Sequence, residues 1–474
     1  MSLQTIQVAV FFLFTAAIAL ATYLKCRGAR AAVDSNKEYF LAGGGLSWVF
    51  VAGSITLTNL STDQLVGMNG NQMALLAWWE FAAVCGLIIL AKVFLPVYYR
   101  NNCTTTTELL EKRYNNKHIR ATISIMFLLG NIFIFIPTIL YGGSLFMQSM
   151  FGVDLHIMVL SVAFAVVGAC YAVFGGLRAV AISDTYSGVM LLGMGVLVVV
   201  LALIAIDFDF SGIPTERLTL IGDNNSPIPW HTLLTGMIFI QIFYWSTNQT
   251  ITQRAMASPT IKEAQKGVLA AAAIRFVIIP PMIVLPGIVS YKLYGDVGDA
   301  AYGRIVGDVL PVWLSGAFAA AIAAAVLTTF NSILNSSTAL YVCDIHEKYI
   351  SAEPNVKVLS AWVTGVFVIV GLALVPLYAQ ADSIINTVQQ LYGLLSMPIL
   401  STFLVGLLFN NVDARAMIFA VISGTTLYAI FSFAWSPFHY IHSMFLTLIF
   451  CMVVALAANK FVFGRKASFV DKLA

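Results

Sequence analysis

The sequence predicts an all-α polytopic membrane protein with about thirteen transmembrane helices. Composition is the first observation behind this. Of 474 residues, 59% are hydrophobic and only 10% carry charge, against roughly 25% charged in soluble domains. The second is a mean hydropathy of +0.88, too apolar for one watery domain of this length. The third is a series of apolar runs of about 20 residues, each the length of a bilayer crossing. They fall near 4–26, 46–69, 72–99, 119–150, 155–174, 178–206, 230–254, 265–292, 309–345, 358–378, 383–410, 415–435 and 440–463.

Orientation follows from the basic residues, which collect on the cytoplasmic side of membrane proteins. With the N-terminus outside, 20 of the 25 lysines and arginines are cytoplasmic, among them Arg120 and Arg254. Only Arg217, Lys292 and Arg304 then lie outside, and Lys92 and Arg275 fall within spans. The C-terminus is cytoplasmic, and a multi-pass protein of the cell (inner) membrane is expected. The net charge of +3 with no basic, aromatic-interleaved run excludes a nucleic-acid partner. The six cysteines are scattered without a C-x-x-C pair and read as free thiols. The first apolar run lacks a basic start and a cleavage site, so it reads as a retained helix.

Hydrocarbon offers polar groups no partner, so polar clusters inside spans carry the information. In the second span, "SITLTNLSTDQLVG" (54–67) crowds hydroxyls with Asn59, Asp63 and Gln64. Hydroxyls bond back to carbonyls and loosen a helix, so a broken, cavity-lining helix is expected. The plainer alternative is tight helix packing through small hydroxyls. In the seventh span, "FYWSTNQTITQ" (243–253) repeats the pattern, with Tyr244 and Trp245 beside it. The two clusters lie five spans apart. Carriers built from two inverted repeats place one discontinuous helix at the same position in each half. Spacing alone thus predicts repeats at about 46–206 and 230–410, a core of 46–410. An extra helix and loop (1–45) would precede it, and two C-terminal spans with a tail (411–474) would follow.

In the ninth span, "AAAVLTTFNSILNSSTALYVCD" (323–344) offers small residues and many hydroxyls. It reads either as a packing face or as part of a cage of neutral oxygens for a sodium ion, completed by carbonyls of an unwound helix. Two isolated charges, Glu80 and Arg275, are expected to pair or to line a wet pocket, which suits a polyhydroxylated ligand. Asp184 reads as a charge at the start of the sixth span, against the helix dipole, with an ion ligand as the alternative.

Several segments resemble the sodium/solute symporter family, and within it the sodium/glucose (galactose) branch. They are "YFLAGGGLSW", "TNLSTDQLVGMNG", "FGGLRAVAISD", "FYWSTNQTITQRAMAS", "EAQKG", "VLPG" and "LTTFNSILNSSTALYVCDI". The resemblance runs from about Tyr39 to Phe409. It implies a LeuT-like core of five plus five inverted helices, alternating access and sodium coupling, with no enzymatic activity. The implied sodium ligands are the carbonyls of Leu57, Leu60 and Ala325 and the hydroxyls of Thr328 and Thr329, the first of which is usually serine. The implied sugar contacts are Gln64, Glu80, Gln241, Tyr244, Arg275 and Gln389, with Tyr244 as an inner gate held by Asn59. Gln241 and Arg275 depart from the galactose pattern, which has asparagine and lysine there. The connection from Gly70 to Glu80 is also about three residues shorter. A second sodium would use Asp184 and Ser332, with Asn331 where a hydroxyl is usual, so one sodium is the expected count. The partners implied are a sugar, sodium and membrane lipid, in a monomer or loose oligomer. The alternatives are a symporter of the same fold for inositol, an amino sugar or a sugar acid, and, in another class, a sensor or channel.

Overall fold

The structure, a computed structural model, describes residues 3–27, 40–60, 62–151, 155–381 and 383–470. Ser61, the Asp63 side chain, the loop 28–39 and Lys472, all part of the sequence reading, lie outside that description. Among the described residues, nine helices are long and apolar enough to cross a membrane. Three shorter apolar helices cover 9–24, 157–169 and 236–246, and the second span is divided into shorter pieces. The count of thirteen is therefore not confirmed by length alone.

The second span is broken where expected. It runs as Trp48–Asn59, leaves helical geometry at Leu60 (φ −82°, ψ 70°), and resumes as Thr62–Gly70. The seventh span runs as Gly236–Ser246 and resumes as Gln249–Met256. Its break is held by its own side chains: the Thr247 hydroxyl donates back to Phe243 O at 2.7 Å, and Asn248 Oδ1 caps Thr250 N at 2.9 Å. In the seventh span, hydroxyl and amide side chains competing with the backbone thus accompany the break, whereas the Thr56 and Thr58 hydroxyls of the second span have no protein partner.

Two groups of spans surround these breaks. The second, third, seventh and eighth spans pack into a bundle. The approach is close: a Cβ on Gly86 would lie 2.4 Å from Gln241 O, and one on Gly267 2.8 Å from Trp48 O. The fourth span (Lys117–Phe151), the ninth (Val312–Ala339) and the tenth (Val356–Tyr378) form a second group. It includes the long helix Ile157–Ala205, 49 residues in one helical run that covers the expected fifth and sixth spans. At about 1.5 Å per residue that is more than one crossing needs. No proline interrupts it, which is why the expected boundary near 174–178 is not seen as a break in helicity.

The last two spans pack on each other and on the eleventh, Ile384–Leu408. A two-residue strand pair, Phe409–Asn410 with Ser468–Phe469, ties the tail beneath the eleventh span. Below, the end of the molecule to which Arg217 and Lys292 belong is termed outer.

Arg120 and Arg254, read as loop charges, are instead buried, 5% and 0% exposed. Arg120 donates to the buried Asp344 at 2.7 Å and to Glu111 at 2.6 Å. Asp344 also accepts the Thr105 hydroxyl at 2.8 Å and the hydroxyls of Thr107 and Ser124. A buried carboxylate so fully donated to is stable because each lone pair is met.

On the outer side, Asp299 accepts Ile384 N–H at 3.0 Å and so caps the eleventh span from a neighbouring loop. Burial pushes its carboxyl up to about 6. A carboxyl raised on folding stabilises the fold below its ordinary pKa, and that contribution is lost as pH rises through the folded value. Melting of the wild type and Asp299→Asn should therefore be compared from pH 4.5 to 7.5. The wild type is expected to lose ground to the variant as pH rises through 6. A difference that does not change with pH would contradict this.

Candidate functional site

The break in the second span brings one of the expected sodium residues, Leu57, against another, Thr329 of the ninth span. A helix that ends inside a protein leaves its last carbonyls without helical donors. Leu57 O is met from the ninth span by the Thr329 hydroxyl at 3.4 Å, while the Thr328 hydroxyl lies 3.1 Å from Ala325 O. Leu57, Leu60 and Ala325 are fully buried, and Thr328 and Thr329 nearly so. Hard cations of the size of calcium, to which sodium is close, take oxygens at about 2.3–2.6 Å, so ligands at right angles stand about 3.3–3.7 Å apart. The Thr329–Leu57 spacing falls in that range and the oxygens are neutral, whereas the Thr328–Ala325 contact is the shorter back-bond of a helical hydroxyl.

One turn toward the outer end, Gln64 donates to Glu80 Oε1. Arg275 pairs with the other Glu80 oxygen at 2.5 Å. Its second nitrogen donates to Thr56 O at 3.1 Å, a carbonyl of the helix that the break ends. The guanidinium also lies over the Trp245 ring, 4.4 Å from its centroid. Trp245 in turn donates to Gln241 Oε1 at 2.8 Å. In the orientation of the Asn59 amide that satisfies both its atoms, its oxygen meets Arg275 at 3.0 Å and its nitrogen donates to the Tyr244 hydroxyl at 2.7 Å. Asn59, Gln64, Glu80, Gln241, Tyr244 and Gln389 all line one cavity of about 60 Å³. That is room for a few waters. A smaller space beyond Tyr244 is lined by Thr329, Asn131 and Asn248. Tyr244 borders both, between the Glu80 cluster and the ninth-span hydroxyls.

Asp184 is not at a helix start. It sits within Ile157–Ala205, fully buried, which removes the dipole reading. It accepts the Ser54 hydroxyl at 2.5 Å, and Ser54 accepts Arg254 Nε at 2.8 Å. The other Asp184 oxygen, Oδ1, has no protein partner. Ser332 turns its hydroxyl back to Thr328 O at 2.5 Å, and neither polar atom of the Asn331 side chain has a protein partner.

Sequence reasoning missed Arg254 as the partner of Asp184. It also missed Tyr392, which accepts from Asn248 at 2.9 Å and lines the cavity, and the part of Thr56 O. The signal for Arg254 was present: an arginine directly following a buried polar cluster.

Removing one member of a buried ion pair strands the other, at a cost of about 3–5 kcal/mol. Arg275→Met is therefore expected to lower the melting temperature of the purified protein sharply. Arg275→Met combined with Glu80→Met should recover most of the loss. If the double variant is as unstable as the single, the pairing does not account for Glu80.

The profile of the Sodium:solute symporter family matches residues 39–424. An uncharacterized symporter of Escherichia coli (strain K12), YidK, is 34% identical, covering 99% of this chain and 86% of that protein. A sodium/glucose cotransporter of Vibrio parahaemolyticus is 29% identical, covering 95% of this chain and 90% of its own length. Among solved structures, the substrate-bound, outward-open state of a Na+-coupled sialic acid symporter superposes with a TM-score of 0.83 at 18% identity. The match covers 98% of this chain and 99% of that one, and it shows the LeuT-like fold. The neighbours are sodium-coupled transporters and not enzymes. With the profile matched over most of its length, the chain belongs to the sodium:solute symporter family, multi-pass membrane proteins that move a solute together with sodium.

Proposed function

We propose that the chain carries a neutral polyhydroxylated solute, a hexose of the galactose or glucose kind, into the cell with one sodium ion. Inositol is the alternative of the same chemistry. The supporting observation is the state of Arg275. Its charge is met by Glu80, its second nitrogen is met by Thr56 O, and its face is covered by Trp245. The pair is neutral overall and meets the cavity through Glu80, with the Arg275 charge buried behind it, so no unmatched positive charge faces a carboxylate. Gln64, Gln241, Gln389 and Asn59 add donors and acceptors, and Tyr244 and Trp245 add ring faces. That mixture suits a sugar, which is apolar on its face and polar on its rim.

In this reading Leu57, Leu60, Ala325, Thr328 and Thr329 hold sodium, and the solute binds at Gln64, Glu80, Gln241, Arg275 and Gln389. Asn59 restrains Tyr244, which separates the solute from the inner side. Sodium ties the second span to the ninth and so favours the outward-facing, solute-competent form. Release inward follows when Tyr244 swings aside and the Leu57–Thr329 contact opens. One sodium is the proposed stoichiometry, because Asn331 stands where a second site would want a hydroxyl and Ser332 turns its own back to Thr328 O. The membrane is the inner one, with the N-terminus outside and the C-terminus in the cytoplasm.

The test is uptake of a panel of labelled sugars, inositol and sugar acids into proteoliposomes, with a sodium gradient or with potassium in its place. Sodium-driven accumulation of a neutral sugar or inositol is expected. Thr329→Ala is expected to raise the sodium concentration for half-maximal uptake by about tenfold or more, the effect of one lost buried interaction. Uptake equal in potassium and unaffected by the substitution would contradict the sodium assignment. Preference for a sugar acid would contradict the solute assignment.

A further inference from the structure

Asn69 is fully buried, and no role above uses it. It sits on the outer half of the second span, Thr62–Gly70, five residues beyond Gln64. Because this half is joined to Trp48–Asn59 through the non-helical Leu60, no continuous ladder of helical hydrogen bonds fixes its height or rotation. Contacts from outside must do so.

Those contacts meet at a proline. Pro286 lies inside the eighth-span helix Ile279–Tyr294. Having no N–H, it leaves the carbonyl four residues earlier, Met282 O, without a helical donor. Asn69 Nδ2 donates to that carbonyl at 3.1 Å, while Asn69 Oδ1 accepts the N–H of the next residue, Gly287, at 2.7 Å. The same Nδ2 also bonds Leu65 O in its own helix at 2.8 Å. The approach requires glycine at 287, where a Cβ would stand 2.3 Å from Asn69 O. Three residues on, Gln72 holds a left-handed backbone (φ 53°) and its side chain donates to Ser290 Oγ at 2.9 Å and Gly295 O at 3.0 Å. A buried asparagine commonly serves only to satisfy itself. Here both ends of the amide serve the backbone of another span, at the place where that span lacks a donor.

We propose that Asn69 is a positioning residue. It supplies the hydrogen bond that Pro286 cannot, and so fixes the outer half of the second span to the eighth. Gln64 and Arg275, one on each of these spans, are thereby held in register around Glu80. This rests on the reading that those three residues bind the solute.

The test compares wild type, Asn69→Leu, Pro286→Ala and the double variant. Galactose KM and maximal rate are measured in proteoliposomes. The difference in melting temperature between sodium and potassium is measured in detergent. Asn69→Leu is expected to raise KM by about tenfold or more, the scale of buried polar groups left unpaired, with a smaller change in maximal rate. The double variant is expected to recover most of this, because residue 286 again donates to Met282 O, while Pro286→Ala alone stays near wild type. A lowered rate or yield at unchanged KM would make Asn69 merely structural and overturn the proposal. Equal impairment of Asn69→Leu and the double variant would overturn the link to Pro286. If the wild type takes up no galactose, the solute reading fails separately, and the sodium-induced melting shift decides. It shrinks in Asn69→Leu and returns in the double variant, or the proposal is wrong.

Discussion

Opening a helix inside a membrane releases carbonyls that hydrocarbon cannot satisfy, and much of this protein is arranged around that one constraint in the second span. The break at Leu60 sets three requirements. Carbonyls before it draw side chains from other spans: Leu57 O accepts the Thr329 hydroxyl, and Thr56 O, which keeps the Leu60 N–H as its helical donor, accepts Arg275 as a second. The outer half needs an anchor, and Asn69 and Gln72 fasten it to the eighth span. The gap itself needs polar company, which Asn59, Gln64 and Glu80 supply. In membranes an unmet backbone group costs several kcal/mol, so these partners are obligatory for the broken form, and a cation that completes the oxygen set stabilises it further.

Two buried ion pairs flank the break, and each is neutral. Glu80 with Arg275 lies on the outer side, and Asp184 with Arg254 is bridged by Ser54 at the sixth and seventh spans. A buried pair adds little stability relative to an apolar replacement but is costly to leave half-made. Such pairs therefore act as registers: they penalise any displacement of the spans that separates the partners. Both pairs connect spans of the bundle to each other or to the long helix Ile157–Ala205, so they restrict which relative positions of the two groups are available.

Much of this was legible in the sequence because polar residues at membrane depth have few uses. The breaks at 54–67 and 243–253 were marked by dense clusters of polar side chains, and Glu80 and Arg275 stood out as charges needing each other. Contacts that depend on register across spans were not legible. Nothing in one chain's spacing says that Ser54 lies between Asp184 and Arg254, or that Asn69 meets the carbonyl freed by Pro286. The charge-based orientation counted Arg254 and Arg120 as loop residues because both sit near span ends, where one turn separates solvent from burial. The position of Asp184 differs from expectation for a related reason: apolar spacing marks a span start near 178, but helicity continues through it from Ile157.

If the sodium cage and the solute cluster share the broken second span, each ligand stabilises the arrangement the other needs. Linkage then requires that sodium raise solute affinity by the same factor as solute raises sodium affinity. The most direct measurement is equilibrium binding of the transported solute at several sodium concentrations, paired with sodium titrations at several solute concentrations. Equal factors well above one are the expected result. Sodium and solute affinities that do not depend on each other would contradict the account, because the break would then not join the two sites.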